Sequence, residues 1–137
     1  MPRTTPIDRL RKICLALPEA HEQKAWGEPT FRVGNRVFAM FADARNHHGA
    51  GRHAVWCKAD HFTQDLVVGR WPDRYFVPPY AGAAGWFGIY LDRDPDWQEV
   101  TDRLRESYRQ LANGRQLAQL DAQPSPARPR TTRGRPR

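Results

Sequence analysis

Chemistry at neutral pH needs a nucleophile with a base, a pair of carboxylates, or a metal, and this chain has few residues spaced for any of them. His47, His48 and His53 share one polar stretch, "ARNHHGAGRH", with Asp43 before it and Cys57 after it. Imidazole and thiolate are zinc ligands, but this spacing matches no closed zinc pattern and adjacent histidines rarely chelate one ion well. A solvated loop is expected there, and no metal. Cys57 stands beside Lys58, a cation that would favour thiolate, yet no base partner accompanies it. The only serines are Ser107 and Ser125, and neither lies in a Gly-x-Ser-x-Gly elbow. Glu19, Glu22 and Glu28 are close in sequence with nothing to fix two of them around a substrate. The chain is therefore expected not to be an enzyme and to carry no cofactor.

Binding is better represented than catalysis. In "YFVPPYAGAAGWFGIYLD" (Tyr75 to Asp92) two prolines, three glycines and six aromatic residues occur within eighteen positions. Gly82, Gly85 and Gly88 recur every third residue, which fits neither the dinucleotide fingerprint nor the phosphate-binding P-loop. Pro78 and Pro79 must stop a strand, because neither can donate to a ladder. Two readings follow: a stiff connection with Tyr80 and Trp86 packed on the core, which is preferred, or a pocket lined by Trp26, Tyr80 and Trp86.

The basic residues suit a polyanion. Arg32 and Arg36 flank a turn, Arg52 and Lys58 flank a strand, and Arg70 and Arg74 bracket Trp71. Arginines at a hairpin tip resemble a wing that enters a groove, and Trp71 is a candidate for stacking on an unpaired base. "ARPRTTRGRPR" places Arg128, Arg130, Arg133, Arg135 and Arg137 among Pro and Gly, as in arms that follow nucleic-acid phosphates. The chain of 137 residues has a formal charge of +7, and without those five arginines residues 1–121 retain only +2. Most of the excess charge thus sits at one end.

The elements that would position these residues are legible from periodicity. Residues 1–121 read as one domain and 122–137 as a disordered basic tail, too poor in apolar side chains to offset ordering entropy. Ile7, Leu10, Cys14 and Leu17 recur at helical spacing behind Thr5 and Pro6, a cap and a first-turn proline. "PTFRVGNRVFAMFAD" is a hairpin about Gly34-Asn35, with Phe31 opposite Phe38 and Val33 opposite Arg36. "HAVWCK" is a strand, and "DHFTQDLVVG" a short helix capped by Asp60, with Phe62 and Leu66 on one side. "RYFVPP" and "GWFGIYL" are two further strands. A last helix, capped by Asp94 with Pro95 first inside it, turns Trp97, Val100, Leu104, Tyr108 and Leu111 inward. Gly114 helps to end it. Helix, three strands, helix, two strands, helix makes an α+β domain with a mostly antiparallel sheet. No leader and no run of roughly 18 apolar residues is present, so two reduced thiols in a cytoplasmic protein are expected.

"ALPEAHEQKAWGEPTFRVGNRVFAMF", "VWCK", "RYFVPPYAGAAGWFGIYLD" and "WQEVTDRLRESYRQLA", in that order, resemble the MmcQ/YjbR family of small bacterial proteins over about residues 4–113. The most specific pieces are Leu17-Pro18-Glu19-Ala20, Trp26-Gly27-Glu28-Pro29-Thr30-Phe31, Pro78-Pro79-Tyr80, Gly85-Trp86 and Ser107-Tyr108. The resemblance implies an α-β(3)-α-β(2)-α order similar to secretion-chaperone-like domains. It also implies a double-wing DNA-binding label based on fold, with no catalytic constellation. DNA, held at low specificity by phosphate electrostatics, is the expected partner. The alternatives are a protein-interaction module and a small-molecule-binding domain at the Tyr80/Trp86 rim.

Overall fold

The computed structural model describes residues 4–45 and 51–123. Helix α1 (Pro6–Leu15) starts where the Thr5 hydroxyl accepts the Asp8 amide at 3.2 Å, and buries Leu10 and Cys14. Four strands follow: β1 (Ala20–Ala25), β2 (Glu28–Val33), β3 (Arg36–Ala42) and β4 (Ala54–Cys57). Helix α2 (His61–Arg70) leads to β5 (Tyr75–Phe76), a single 3₁₀ turn (Ala81–Ala84) and β6 (Phe87–Tyr90). Helices α3 (Trp97–Arg109) and α4 (Gly114–Ala122) complete the described chain. The six strands form one antiparallel sheet in the order β1-β2-β3-β4-β6-β5.

The α+β class and antiparallel sheet agree with expectation, and the element order is one strand and one helix richer. "AHEQKA" has no apolar alternation to mark β1; it is an edge strand, paired with β2 from Ala20–Val33 to Ala25–Glu28. Gly114 opens α4 instead of ending α3, because Asn113 before it and Gln116 after it form a reciprocal capping box. Asp96, not Asp94, caps α3: its carboxylate accepts the Gln98 and Glu99 amides, while Asp94 sits in a left-handed conformation at φ 54°. On α2 the inward residues are Gln64 and Val67, whereas Phe62 and Leu66 are exposed. The expected tail, with Arg128 to Arg137, lies outside the described residues, as do His47 and His48.

One sheet face is covered. Phe31, Phe38, Val55, Phe87 and Ile89 meet Leu10, Val67, Val100, Leu104, Tyr108 and Leu120 from the four helices. The hairpin register explains how β3 serves both faces. Val33 is opposite Arg36 as expected, but Phe31 is opposite Ala39, because a bulge intervenes between Phe31 and Arg32. Phe38 thereby enters the helix-side core, edge-on to Tyr108 at 5.7 Å. The other face carries Met40, Ala42, Ala54 and Trp56, against which Phe76, Ala81, Trp86 and Tyr90 pack. None of those eight residues belongs to an α-helix.

Candidate ligand cavity on the uncovered sheet face

Residues directly opposite in an antiparallel pair share a face, so the register locates each side chain. Thr30 is opposite Met40 and Arg32 is opposite Val37, which puts all four on the face without helices. Trp56 from β4 joins them, opposite both Met40 and Gly88. Over this floor stand rings from two connections, and together they enclose a cavity of about 560 Å³ lined by Trp26, Val37, Met40, Trp56, Tyr80, Ala81 and Trp86. Organic ligands occupy pockets of roughly 300–1,000 Å³.

Both outermost rings ride on backbone that ordinary side chains avoid. Trp26 and Gly27 are the two-residue turn between β1 and β2, at φ 55° and 78°. Two positive φ angles define the type I′ turn, which favours Asn-Gly rather than a tryptophan. Trp26 is 68% exposed. Tyr80, 77% exposed, has φ 66° and ψ −65°, and the Ala81 amide donates across it to the Pro79 carbonyl at 2.7 Å. That is a three-residue turn of the rare, strained hand. Such strain persists only where surrounding structure over-determines it, and it concentrates at functional sites.

The surroundings of Tyr80 are rigid in this sense. The Gln64 amide, buried on α2, donates to the carbonyls of Gly82 (2.9 Å) and Trp86 (2.6 Å). Gly85, at φ 93°, lies so close to α2 that a Cβ would come within 2.8 Å of the Asp60 and His61 backbone. Gly88 leaves its place to the Phe76 ring, which a Cβ would meet at 2.2 Å. Phe76 stacks on Tyr90 at 4.6 Å, and Arg52 lies 3.5 Å over Tyr90 while bonding Asp92 twice at 2.8 Å. The Pro-Pro-Tyr segment is thus stiff, yet it presents Tyr80 outward and does not pack that ring on the core.

Of the expected cationic residues among those described, Arg32 lies beside the cavity, on the same sheet face and directly across from the lining residue Val37. Its Nε donates to the Thr30 hydroxyl at 3.1 Å, and that hydroxyl donates to the Gln23 carbonyl. Arg52 is consumed by Asp92 at the far end of the same face. Arg36 is exposed beside the hairpin turn, and Lys58 lies where its carbonyl accepts the Ser107 hydroxyl at 2.7 Å. Arg70 and Arg74 lie 5.8 and 5.2 Å from the Trp71 ring, with Arg74 also 3.5 Å from Glu99. The six do not compose one basic surface.

Groups suited to catalysis are otherwise engaged. Burial pushes both the Cys14 and Cys57 thiols up, away from thiolate. His53 accepts the Ala44 amide at 3.0 Å and stacks on Phe41. Among the described residues, no group of three His, Cys, Asp or Glu side chains is arranged around an ion. One cluster has no local signal in the sequence: the Tyr75 hydroxyl donates to Glu99 and accepts from Arg103 Nε at 3.2 Å. Burial, helped by Glu99, pushes Tyr75 up to about 12. Val37, Met40 and Trp56 likewise carry no local sign of a cavity; strand alternation on β3 and β4 signals them once the bulge is known.

The family model described as YjbR matches residues 15–110. The crystal structure of Deinococcus radiodurans protein DR2400, carrying the domain DUF419, superposes with a TM-score of 0.66 at 19% identity, covering 87% of this chain and 92% of that one. At that identity the likeness is one of fold. Among curated proteins, no match is found. Among the described residues, no helix is long and apolar enough to cross a membrane.

Proposed function

This chain belongs to the YjbR family, and we propose that it uses the uncovered face of its sheet to bind a small, largely apolar organic molecule without transforming it. The observation that carries this reading is the cavity of about 560 Å³ whose two outermost rings, Trp26 and Tyr80, are held in positive-φ conformations. A fold that merely tolerated these rings would gain by placing Asn or Gly at both positions. Burial of a flat apolar group between indole and phenol faces is what the arrangement offers in return. The lining supplies one hydroxyl, on Tyr80, and no carboxylate, imidazole, thiol or amine, so the proposed role is binding and not catalysis.

The test is a titration with phenylnaphthylamine, a neutral apolar fluorophore, against the full chain. One site per molecule is expected, abolished by Val37→Trp, which fills the cavity from β3 while leaving the helix-side core alone. Absence of binding, or binding indifferent to Val37→Trp, contradicts the reading.

Contact with nucleic acid is the second reading, favoured by the five arginines among residues 128–137 and by exposed rings of the kind that stack on unpaired bases. Five neutralised phosphates give a duplex-binding salt slope of about four to five log units per decade. A chain ending at Gln123 loses most of that slope. Full-length protein that ignores both duplex and single-stranded DNA in dilute buffer removes this reading.

A further inference from the structure

The cavity's lining is uncharged, but a guanidinium stands beside it on the same sheet face, and that pairing names a ligand class. This step rests on the ligand-binding reading above. We propose that the natural ligand is a planar aromatic acid, its rings between Trp26, Tyr80 and Trp86 and its anionic group on Arg32.

Shape and charge each contribute one half. The wall residues are mostly aromatic, and π-faces recognise flat ring systems better than branched aliphatic ones because stacked geometry adds to area burial. A cavity of about 560 Å³ holds a molecule of two or three fused or linked rings, not a lone head group. Its interior cannot solvate an acid, so a charged substituent must lie at the border. There the residue available is Arg32: it is directly across from Val37, a lining residue, at a Cβ separation of about 5 Å for such pairs. Thr30 holds the guanidinium by its Nε at 3.1 Å, which leaves both terminal amino groups of the fork to meet a carboxylate, sulfonate or phosphate in bidentate fashion. No ion pair among the described residues uses Arg32. Arg52, on the same face, is by contrast saturated by Asp92.

The other end of β2 carries an acid rather than a base. Glu28 is buried four residues from Arg32 along β2, about 13 Å away at strand rise, and its Oε2 accepts the Asp43 amide at 3.1 Å. His21 lies across β1 from Arg32 on the same face. An acid is therefore accommodated with its charge toward Arg32 and its rings toward the Trp26 end.

Two probes with the same ring system separate the halves of the proposal. Anilinonaphthalene sulfonate carries an anionic group that phenylnaphthylamine lacks. The full chain is expected to bind the sulfonate at a single site about tenfold more tightly, the value of one charge-assisted contact. Arg32→Gln is expected to erase that preference while leaving affinity for phenylnaphthylamine unchanged, and Arg32→Lys, which keeps the charge but not the fork, to retain part of it. Equal affinity of the wild type for both probes overturns the acid assignment and leaves the ligand site standing. A preference that survives Arg32→Gln, or vanishes when the chain ends at Gln123, overturns Arg32 as the anion's partner. If neither probe binds, the inference falls together with the reading it rests on.

Discussion

Trp26 offers a direct measure of what the cavity rim demands of the fold. Its φ of 55° places a bulky side chain in the left-handed region, at a cost of about 1–2 kcal/mol for an ordinary L-residue. The ring recovers part of that by burial. With 68% of the residue exposed, about a third of a tryptophan's roughly 250 Å² is covered, about 80 Å², worth at most about 2 kcal/mol. Trp26→Ala and Trp26→Asn both surrender this burial, so the difference between them isolates the backbone. Asparagine is several-fold enriched at positive φ and, followed by Gly27, restores the preferred turn pair. The Asn variant is therefore expected to be more stable than the Ala variant by about 1 kcal/mol, or about 4 °C in Tm for a chain of this size, and to lie within about 1 kcal/mol of wild type. Urea unfolding followed by far-ultraviolet circular dichroism gives both numbers. Equal stability of the two variants, or a loss above about 3 kcal/mol for either, would refute the argument, because it would make Trp26 a packed core residue rather than a strained rim.

Three other outcomes follow from the same geometry. Gly88→Ala drives a methyl into the Phe76 ring and is expected to destabilise by about 1–3 kcal/mol, whereas Gly69→Ala, in open space within α2, is expected to stabilise by about 0.5–1 kcal/mol; matching signs in thermal melts would contradict this packing. Hydrogen bonds from Arg115 and then Gln116 on α4 hold the Glu19 carboxyl down at about 2, so its contribution is present above about pH 4.3, the ordinary glutamate value, and drains away as pH falls toward about 2. Glu19→Gln is expected to flatten the stability–pH curve in that window, though not fully, because Arg45 holds Asp43 at about 2 as well; an unchanged slope in stepped-pH unfolding would remove the α4 tether. Cys14 and Cys57, both 0% exposed with thiols pushed up by burial, are expected to resist an aromatic disulfide reagent until urea is added, and rapid native labelling would show the helix-side core to be open.

What the sequence reveals of this fold follows its apolar periodicity. The stripes Leu10–Cys14 and Val100–Leu104–Tyr108 are dense enough that α1 and α3 are evident, as is the hairpin with Gly34. β1 is polar along its length and derives its strand state from pairing with β2, which is a tertiary cause and leaves no local trace. α4 is hidden because a glycine opens it. Phe62 and Leu66 mislead because hydrophobicity implies burial only on average; here the buried amide of Gln64 takes the inward position to hold the 3₁₀ turn and Trp86. The cavity is half legible in the sequence: Trp26, Tyr80 and Trp86 stand out as ring-bearing turn residues, but turn chemistry favours a stiff connection, and only the positive φ of Trp26 and Tyr80 shows that stiffness and exposure coexist. The arginines give the least structural guidance, since local sequence does not reveal that Asp92 and Glu99 engage two of them.

Five tryptophans make the central proposition measurable in one spectrum. Trp26, Trp56 and Trp86 line the cavity, while Trp71 and Trp97 pack on the helix side, so their indole N–H resonances in nitrogen-15-labelled protein report the two faces separately. Adding phenylnaphthylamine is predicted to shift the first three and leave the last two in place. Shifts at Trp71 or Trp97 with Trp26, Trp56 and Trp86 unmoved, or no shifts at all, would contradict a ligand site on the uncovered sheet face.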